Sequence, residues 1–116
     1  MAKHVLAVID MQNDFIDGAL GTKEAEAIVD KVAAQIRDFD GEVVYTRDTH
    51  FEGYLDTQEG KKLPVPHCIK DTDGWQIRTQ VSQAGNEGAK VFDKLTFGSV
   101  ELAEYLKAMP NLESVT

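Results

Sequence analysis

Apolar residues follow two rhythms along this chain, and each change of rhythm marks an element. Val5, Leu6, Ala7, Val8 and Ile9 form an unbroken apolar run, the pattern of a short strand buried on both faces. Asp10 ends the run, and Asn13, Asp14 and Asp17 follow before Gly18 lets the chain turn. Further on, Ala25, Ile28, Val29, Val32, Ala33, Ile36 and Phe39 recur at three- and four-residue spacing, which predicts a helix with one apolar stripe. Lys23, Asp30, Lys31, Gln35 and Arg37 face elsewhere. Thr22 is placed to cap this helix, Glu24 and Glu26 complement its first turn, and Gly41 supplies a left-handed residue past its end. Val43, Val44 and Tyr45 then read as a second buried strand ending at Thr46, Arg47 and Asp48. Strand, helix, strand is a βαβ unit with a right-handed crossover.

Residues 48–74 break both rhythms. They carry three glycines and two prolines, and the stretch exceeds the roughly 12 to 15 residues of a plain connection. Pro64 and Pro66 impose extended geometry on their predecessors, which argues for an ordered excursion. Trp75, Ile77 and Val81 predict a short helix after Gly74, and residues 89–92 a third strand. Ser99 caps a helix carrying Leu102, Ala103, Leu106 and Met109, with Glu101 in its first turn and Lys107 in its last. Pro110 stops it, and Leu112 to Val115 begin a fourth strand. The expected fold class is α/β: a three-layer α/β/α arrangement around a mostly parallel, Rossmann-like sheet. An edge that normally continues would be left exposed. Residues 1–116 read as the N-terminal part of one domain.

Composition narrows the partners. Twelve basic against twenty acidic side chains give a net charge of −8, so no basic stripe is available for nucleic acid. No apolar run approaches the ~20 residues of a membrane span. A single cysteine, Cys68, excludes an internal disulfide and fits a reducing cytoplasm.

Candidate chemistry collects where strands end, since parallel sheets bind ligands outside the carboxyl ends of their strands. Asp10 sits at such a position, although an aspartate there also serves simply to order a loop. Asp48 and His50, two residues apart, share a face if extended, and His67 lies in a loop long enough to return to them. One carboxylate and two imidazoles suit Zn²⁺, Mn²⁺ or Fe²⁺ with positions left for water; the same spacing also arises by accident. Asp93 and Lys94 follow the third strand as Asp10 follows the first. A buried lysine beside a carboxylate can tune an acid or hold negative charge in a transition state, and a plain edge salt bridge is the alternative. Cys68 reads as a packed small hydrophobe, and His4, at the opposite sheet end, as structural or solvent-facing. Phe15, Trp75 and Phe97 suit the core, with Phe15 and Trp75 as candidate pocket walls.

These segments resemble the isochorismatase-like cysteine hydrolases, the superfamily of nicotinamidases and related amidases. The resemblance rests on AVIDMQNDFIDGAL, TRDTH, LPVPHC and DKLTFGS, in that order. It implies a six-stranded, mostly parallel sheet and an oligomer. Asp10 would be the catalytic aspartate, Lys94 the catalytic lysine, and Asp48, His50 and His67 the ligands of a divalent metal, most plausibly zinc. The family nucleophile is a cysteine at a helix N-terminus after the fourth strand, a place that lowers a thiol pKa; it would lie beyond residue 116. Cys68 aligns instead with the cysteine beside the metal-binding histidine. Thr49 stands where nicotinamidases usually carry Trp, and YLDTQEGKK departs from their usual loop, so "a small amide" is the better description of the substrate. The function expected is hydrolysis of a small carboxamide or related C–N bond, by a homo-oligomer or with the C-terminal portion associated. The alternatives are a catalytically inactive metal- or ligand-binding scaffold and an isochorismatase-type hydrolase of a non-amide substrate.

Overall fold

The computed structural model describes residues 3–85, 89–95 and 99–116, which leaves Phe97 outside the described residues. The first apolar run becomes strand β1 (Lys3–Ile9), and the periodic segment becomes helix α2 (Lys23–Asp38) after a one-turn helix α1 (Asn13–Ile16). Thr22 caps α2 by accepting from the Ala25 N–H at 3.0 Å. Strand β2 (Glu42–Asp48) follows, then α3 (Gln58–Lys62), α4 (Thr79–Ser82), β3 (Val91–Lys94), α5 (Val100–Lys107) and β4 (Leu112–Val115). The four strands pair in parallel in the order β3-β2-β1-β4. Strand order therefore reverses beside β1, so Asp10 leaves the sheet at a topological switch point, the usual place for a ligand.

Alternation along the strands builds two cores. Leu6, Val8, Val43 and Tyr45 face one way and meet Val29 and Ile36 of α2 and Val81 of α4. Val5, Val44 and Phe92 face the other way and meet Leu102, Tyr105 and Leu106 of α5. This is the expected three-layer α/β arrangement. Val5 and Val44 are fully buried, each stabilising the fold by about 1.5 to 3 kcal/mol relative to exposure.

Several expected boundaries move. Strand β1 is not covered throughout, because Ile9 is 53% exposed; it extends the Val5–Ala7 row past the residues α5 packs against. Ile28, placed on the buried stripe of α2, is 44% exposed, lying to one side of the Val29–Ala33–Ile36 line. Gly41 is not a left-handed helix cap: Phe39 is already extended, and Gly41 takes φ +155°. A Cβ there would collide with the His4 carbonyl and the Phe39 ring. Strand β3 begins two residues later than expected and includes Asp93 and Lys94. In register, Arg47 lies beside Asp93 and donates to both its carboxylate oxygens, at 2.6 and 3.0 Å, which favours keeping those polar residues in the ladder. The single helix expected around Trp75 is two pieces, a 3₁₀ turn at Asp73–Trp75 and then α4. Between them Ile77 bridges to Gln12, and Asn13 N–H and Arg78 N–H donate to Gln76 O and Met11 O. Main-chain pairing with the β1–α1 loop replaces helix. The excursion after β2 is ordered by a 3₁₀ turn (Tyr54–Asp56) and by α3, whose Thr57 cap accepts from Gly60 N–H. Among the described residues no helix is long and apolar enough to cross a membrane.

Candidate active site and metal centre

At the end of β1 the backbone of Asp10 turns into the left-handed region, φ +52°, which aspartate tolerates better than most residues. Such conformations cost about 1 to 3 kcal/mol and collect at functional sites. Thr46 of β2 holds the side chain, its hydroxyl donating to Asp10 Oδ1 at 2.8 Å while accepting from the Asp10 N–H at 3.2 Å. The other oxygen, Oδ2, lies 2.8 Å from Lys94 Nζ. Lysines are almost never buried without a partner, and Lys94 is buried. Two residues from strands on either side of β2 thus meet at one sheet end, as expected from their positions.

Asp48, His50 and His67 are all buried and offer ligand atoms within 4.8 Å of one another. Asp48 Oδ2 lies 3.0 Å from His50 Nε2 and 3.7 Å from His67 Nε2. The tautomer of His67 follows from its partner. Its Nδ1 lies 2.7 Å from the Val65 carbonyl, which can only accept, so Nδ1 carries a proton and Nε2 is the ring nitrogen turned toward Asp48. Metal-binding histidines are oriented in this way. One carboxylate and two imidazoles with a shared focus fit a divalent ion of the Zn²⁺ type. Tyr54 packs edge-on to both imidazoles, and Phe15 packs edge-on to His67 at 5.5 Å between centroids. Phe15 therefore lies against the Asp–His–His cluster.

The register places Asp48 beside Lys94, which joins the ion pair to the histidine cluster. Cys68, fully buried, lies among them. Burial first, and then the charges of Asp48, Asp14 and Asp10, push its thiol well above the usual range, with Lys94 acting weakly the other way. A thiol held neutral is a poor nucleophile, in keeping with a packed small side chain. Trp75 is buried beneath the Arg47 guanidinium, 3.6 Å from the ring centroid, and its Nε1–H donates to Thr49 Oγ1 at 3.0 Å. His4 lies at the other end of the sheet, with Ser114 Oγ at 2.7 Å and Glu113 nearby.

Sequence reasoning did not single out two residues of this region. Gln12 is fully buried and bonds the Asp48 main chain; a lone glutamine inside an acidic loop carries no pattern that would flag it. Glu59, in the first turn of α3, brings Oε2 to 3.4 Å from His50 Nε2. Its signal was the Thr57 cap, which predicts a helix start inside the excursion.

The parallel sheet thus brings a carboxylate–ammonium pair and an Asp–His–His donor set together at one end of an α/β domain. Residues 4–112 match the isochorismatase domain, and the chain belongs to that family. It is 29% identical over 138 aligned positions to the nicotinamidase of Saccharomyces cerevisiae, covering 92% of this chain and 62% of that protein. The chain thus spans less than two thirds of that relative's length. The zinc complex of Pyrococcus horikoshii pyrazinamidase superposes with a TM-score of 0.78 at 31% identity, over 97% of this chain and 68% of that one. N-carbamoylsarcosine amidase from Thermoplasma acidophilum gives 0.67 at 26% identity, over 97% and 66%.

Proposed function

We propose that this chain supplies the acid–base and metal-binding part of a hydrolase acting on a small carboxamide or related C–N bond. The observation that carries the reading is the 2.8 Å Asp10–Lys94 contact beside the Asp48–His50–His67 set. The relatives named for amide substrates support it. In this reading Asp10 takes the proton of a cysteine thiol, and the thiolate attacks the amide carbonyl carbon. The C–N bond breaks as that proton passes to the departing amine or ammonia, and water then cleaves the thioester to give the acid and restore the thiol. Lys94 fixes the direction of the Asp10 carboxylate and offsets its charge. The nucleophile is a cysteine outside residues 1–116, because Cys68 is buried and its thiol is pushed up. A bound Zn²⁺, or Mn²⁺ or Fe²⁺ in the same ligands, would supply a Lewis acid that holds or polarises the substrate.

A second reading, a metal- or ligand-binding protein without catalysis, is favoured by the same inert Cys68. Ammonia release from nicotinamide, pyrazinamide and simpler carboxamides separates the two. In a polypeptide that includes the additional cysteine, Asp10→Asn should lower kcat at least about 100-fold, the scale of a lost general base. The 116-residue chain alone should turn over little, before and after Cys68→Ser. Robust turnover by that chain, abolished by Cys68→Ser, would make Cys68 the nucleophile; turnover that survives the change would remove the thiol mechanism. Absence of turnover in every form would leave the binding protein.

A further inference from the structure

The DMQND segment carries Asp10, and its next two polar anchors reach away from Asp10 toward the metal ligands. The β1–β2 ladder runs to the Ile9–Thr46 pair and stops there, because Asp10 turns out of the strand. Asp48, two residues further along β2, would then have no main-chain neighbour on that side. The Gln12 side chain takes that place. Its Nε2–H₂ donates to Asp48 O and Trp75 O, both at 2.8 Å, and its Oε1 accepts from Asp48 N–H at 2.8 Å. A primary amide thus pairs with both main-chain groups of a metal ligand, as a neighbouring strand would, in a fully buried position. Every polar atom of the side chain is satisfied, and a buried amide can keep that arrangement only in one position.

Asp14 does the corresponding work for the other side of the cluster. Its Oδ2 accepts from Cys68 N–H at 2.7 Å, directly after His67. Cys68 sits at φ +48°, a left-handed position that a cysteine holds only when its surroundings demand it. The Cys68 carbonyl in turn accepts from His50 N–H at 2.9 Å, and His50 bridges Ile69 in parallel. Gly74 closes the far side of the carboxylate: a Cβ there would fall on the Asp14 carboxyl group. Asp14 therefore fixes the strained residue that sets the spacing between His50 and His67.

We propose that Gln12 and Asp14 are positioning residues of the metal centre, holding Asp48 and the His50–His67 spacing by their main chains. Through them the loop that carries Asp10 also sets the shape of the metal site. The inference rests on reading Asp48, His50 and His67 as a metal centre, and it adds which residues give that centre its affinity. Outer-shell partners of metal ligands typically contribute about 10- to 100-fold in affinity.

The test titrates Zn²⁺ into the metal-free 116-residue chain, records the ligand-field spectrum with Co²⁺, and follows thermal unfolding in EDTA. Gln12→Met keeps the shape and loses three hydrogen bonds; Asp14→Ala loses the Cys68 contact. Each should weaken Zn²⁺ binding about 10- to 100-fold and alter the Co²⁺ spectrum. Asp14→Asn keeps one acceptor for the Cys68 N–H and should stay within about 3-fold of the parent chain. Asn13→Ala, which removes a 2.9 Å bond to Asp73 O in the same loop, should leave both readouts unchanged. If Gln12→Met does not fold, Asp14→Ala and Gly74→Ala, which displaces the carboxylate sterically, carry the test. Parental affinity and spectrum in these variants would overturn the inference, as would an equal loss in Asn13→Ala, which would mark a general loosening of the loop. A parent chain that binds no Zn²⁺ would overturn the metal reading itself, a result distinguishable from the others.

Discussion

Two regions of this molecule use different means to stay ordered. At the carboxyl ends of β1 and β2, buried polar residues are packed side by side: Gln12, Thr46, Asp48, Thr49, His50, His67 and Lys94. Around α5 and β4 the opposite holds: α5 has no buried residue, and Val100 and Val115 are exposed. Burying a polar group without a partner costs roughly 1 to 3 kcal/mol in protein cores, so the first region is stable only in one arrangement. Among the described residues, Arg78 Nε is the one buried side-chain atom without a partner. In the second region β4 is held by main-chain pairing with β1, while α5 rests on apolar contact along one face, against Val5, Val44 and Phe92, which is less demanding of geometry. Specificity of geometry therefore resides in the polar end of the sheet, where the candidate chemistry lies.

The largest effect that would sharpen this contrast is on metal binding. His67→Ala removes one imidazole of the Asp48–His50–His67 donor set and should weaken Zn²⁺ by more than the roughly 10- to 100-fold of an outer-shell change. Glu59→Gln, which alters the carboxylate 3.4 Å from His50 Nε2, should cost less. In stability the same experiment reads as linkage: at 100-fold excess over Kd, bound metal adds about 2.7 kcal/mol. Thermal scans with and without EDTA should show that increment in the parent chain and little of it in His67→Ala. Equal shifts in both would take His67 out of the site.

What could be read before the structure follows the same division. Asp10, Asp48 and Lys94 were legible because apolar runs place them at strand ends, and His50 because a two-residue step shares a face. His67 and the zinc reading came from the family resemblance together with loop length. Gln12 was not legible: its partners lie 36 and 63 positions away, and no local period reports such a contact. The end of β3 was misplaced because Asp93 looks like the residue after a strand, and only its pairing with Arg47 on β2 makes it a strand residue. The helix around Trp75 was misplaced for a related reason, since tertiary main-chain pairing from the β1–α1 loop competes with local helix bonds. Local pattern located the elements, and long-range polar pairing set their limits.

A middle-sized effect concerns Cys68, the buried thiol in the polar region. Its pKa is raised in the folded chain, so the folded state keeps the proton when the unfolded state begins to lose it near pH 8.5. The folded state then binds more protons, and stability falls as pH rises, by up to about 1.4 kcal/mol per pH unit. The contribution is fully present below that pH and is lost progressively above it. Tyr45, Tyr54 and Tyr105 are also raised, but their unfolded forms ionise only near pH 10. Denaturant titrations between about pH 8.5 and 10 should show the decline in the parent chain and a flatter profile in Cys68→Ser. In the same window native Cys68 should resist alkylation by iodoacetamide. A flat parental profile with rapid alkylation would mean that the thiol is neither buried nor neutral.

The smallest effect tests the other half of the contrast. Val44 and Val115 are both β-branched strand residues on a parallel sheet, and sequence pattern does not distinguish them. Val44 is fully buried between β2 and α5. Val115 pairs with Val5 on β1 yet is 49% exposed. Val44→Ala removes two buried methyl groups and leaves a cavity, a loss of about 2 kcal/mol. Val115→Thr keeps the branched shape that suits a strand and changes an exposed surface, so it should stay within about 0.5 kcal/mol. Urea titrations of both variants give the comparison directly. A cost at Val115 near that at Val44 would mean that β4 is packed in solution as tightly as the centre of the sheet. The order of the molecule would then not be concentrated at its polar end.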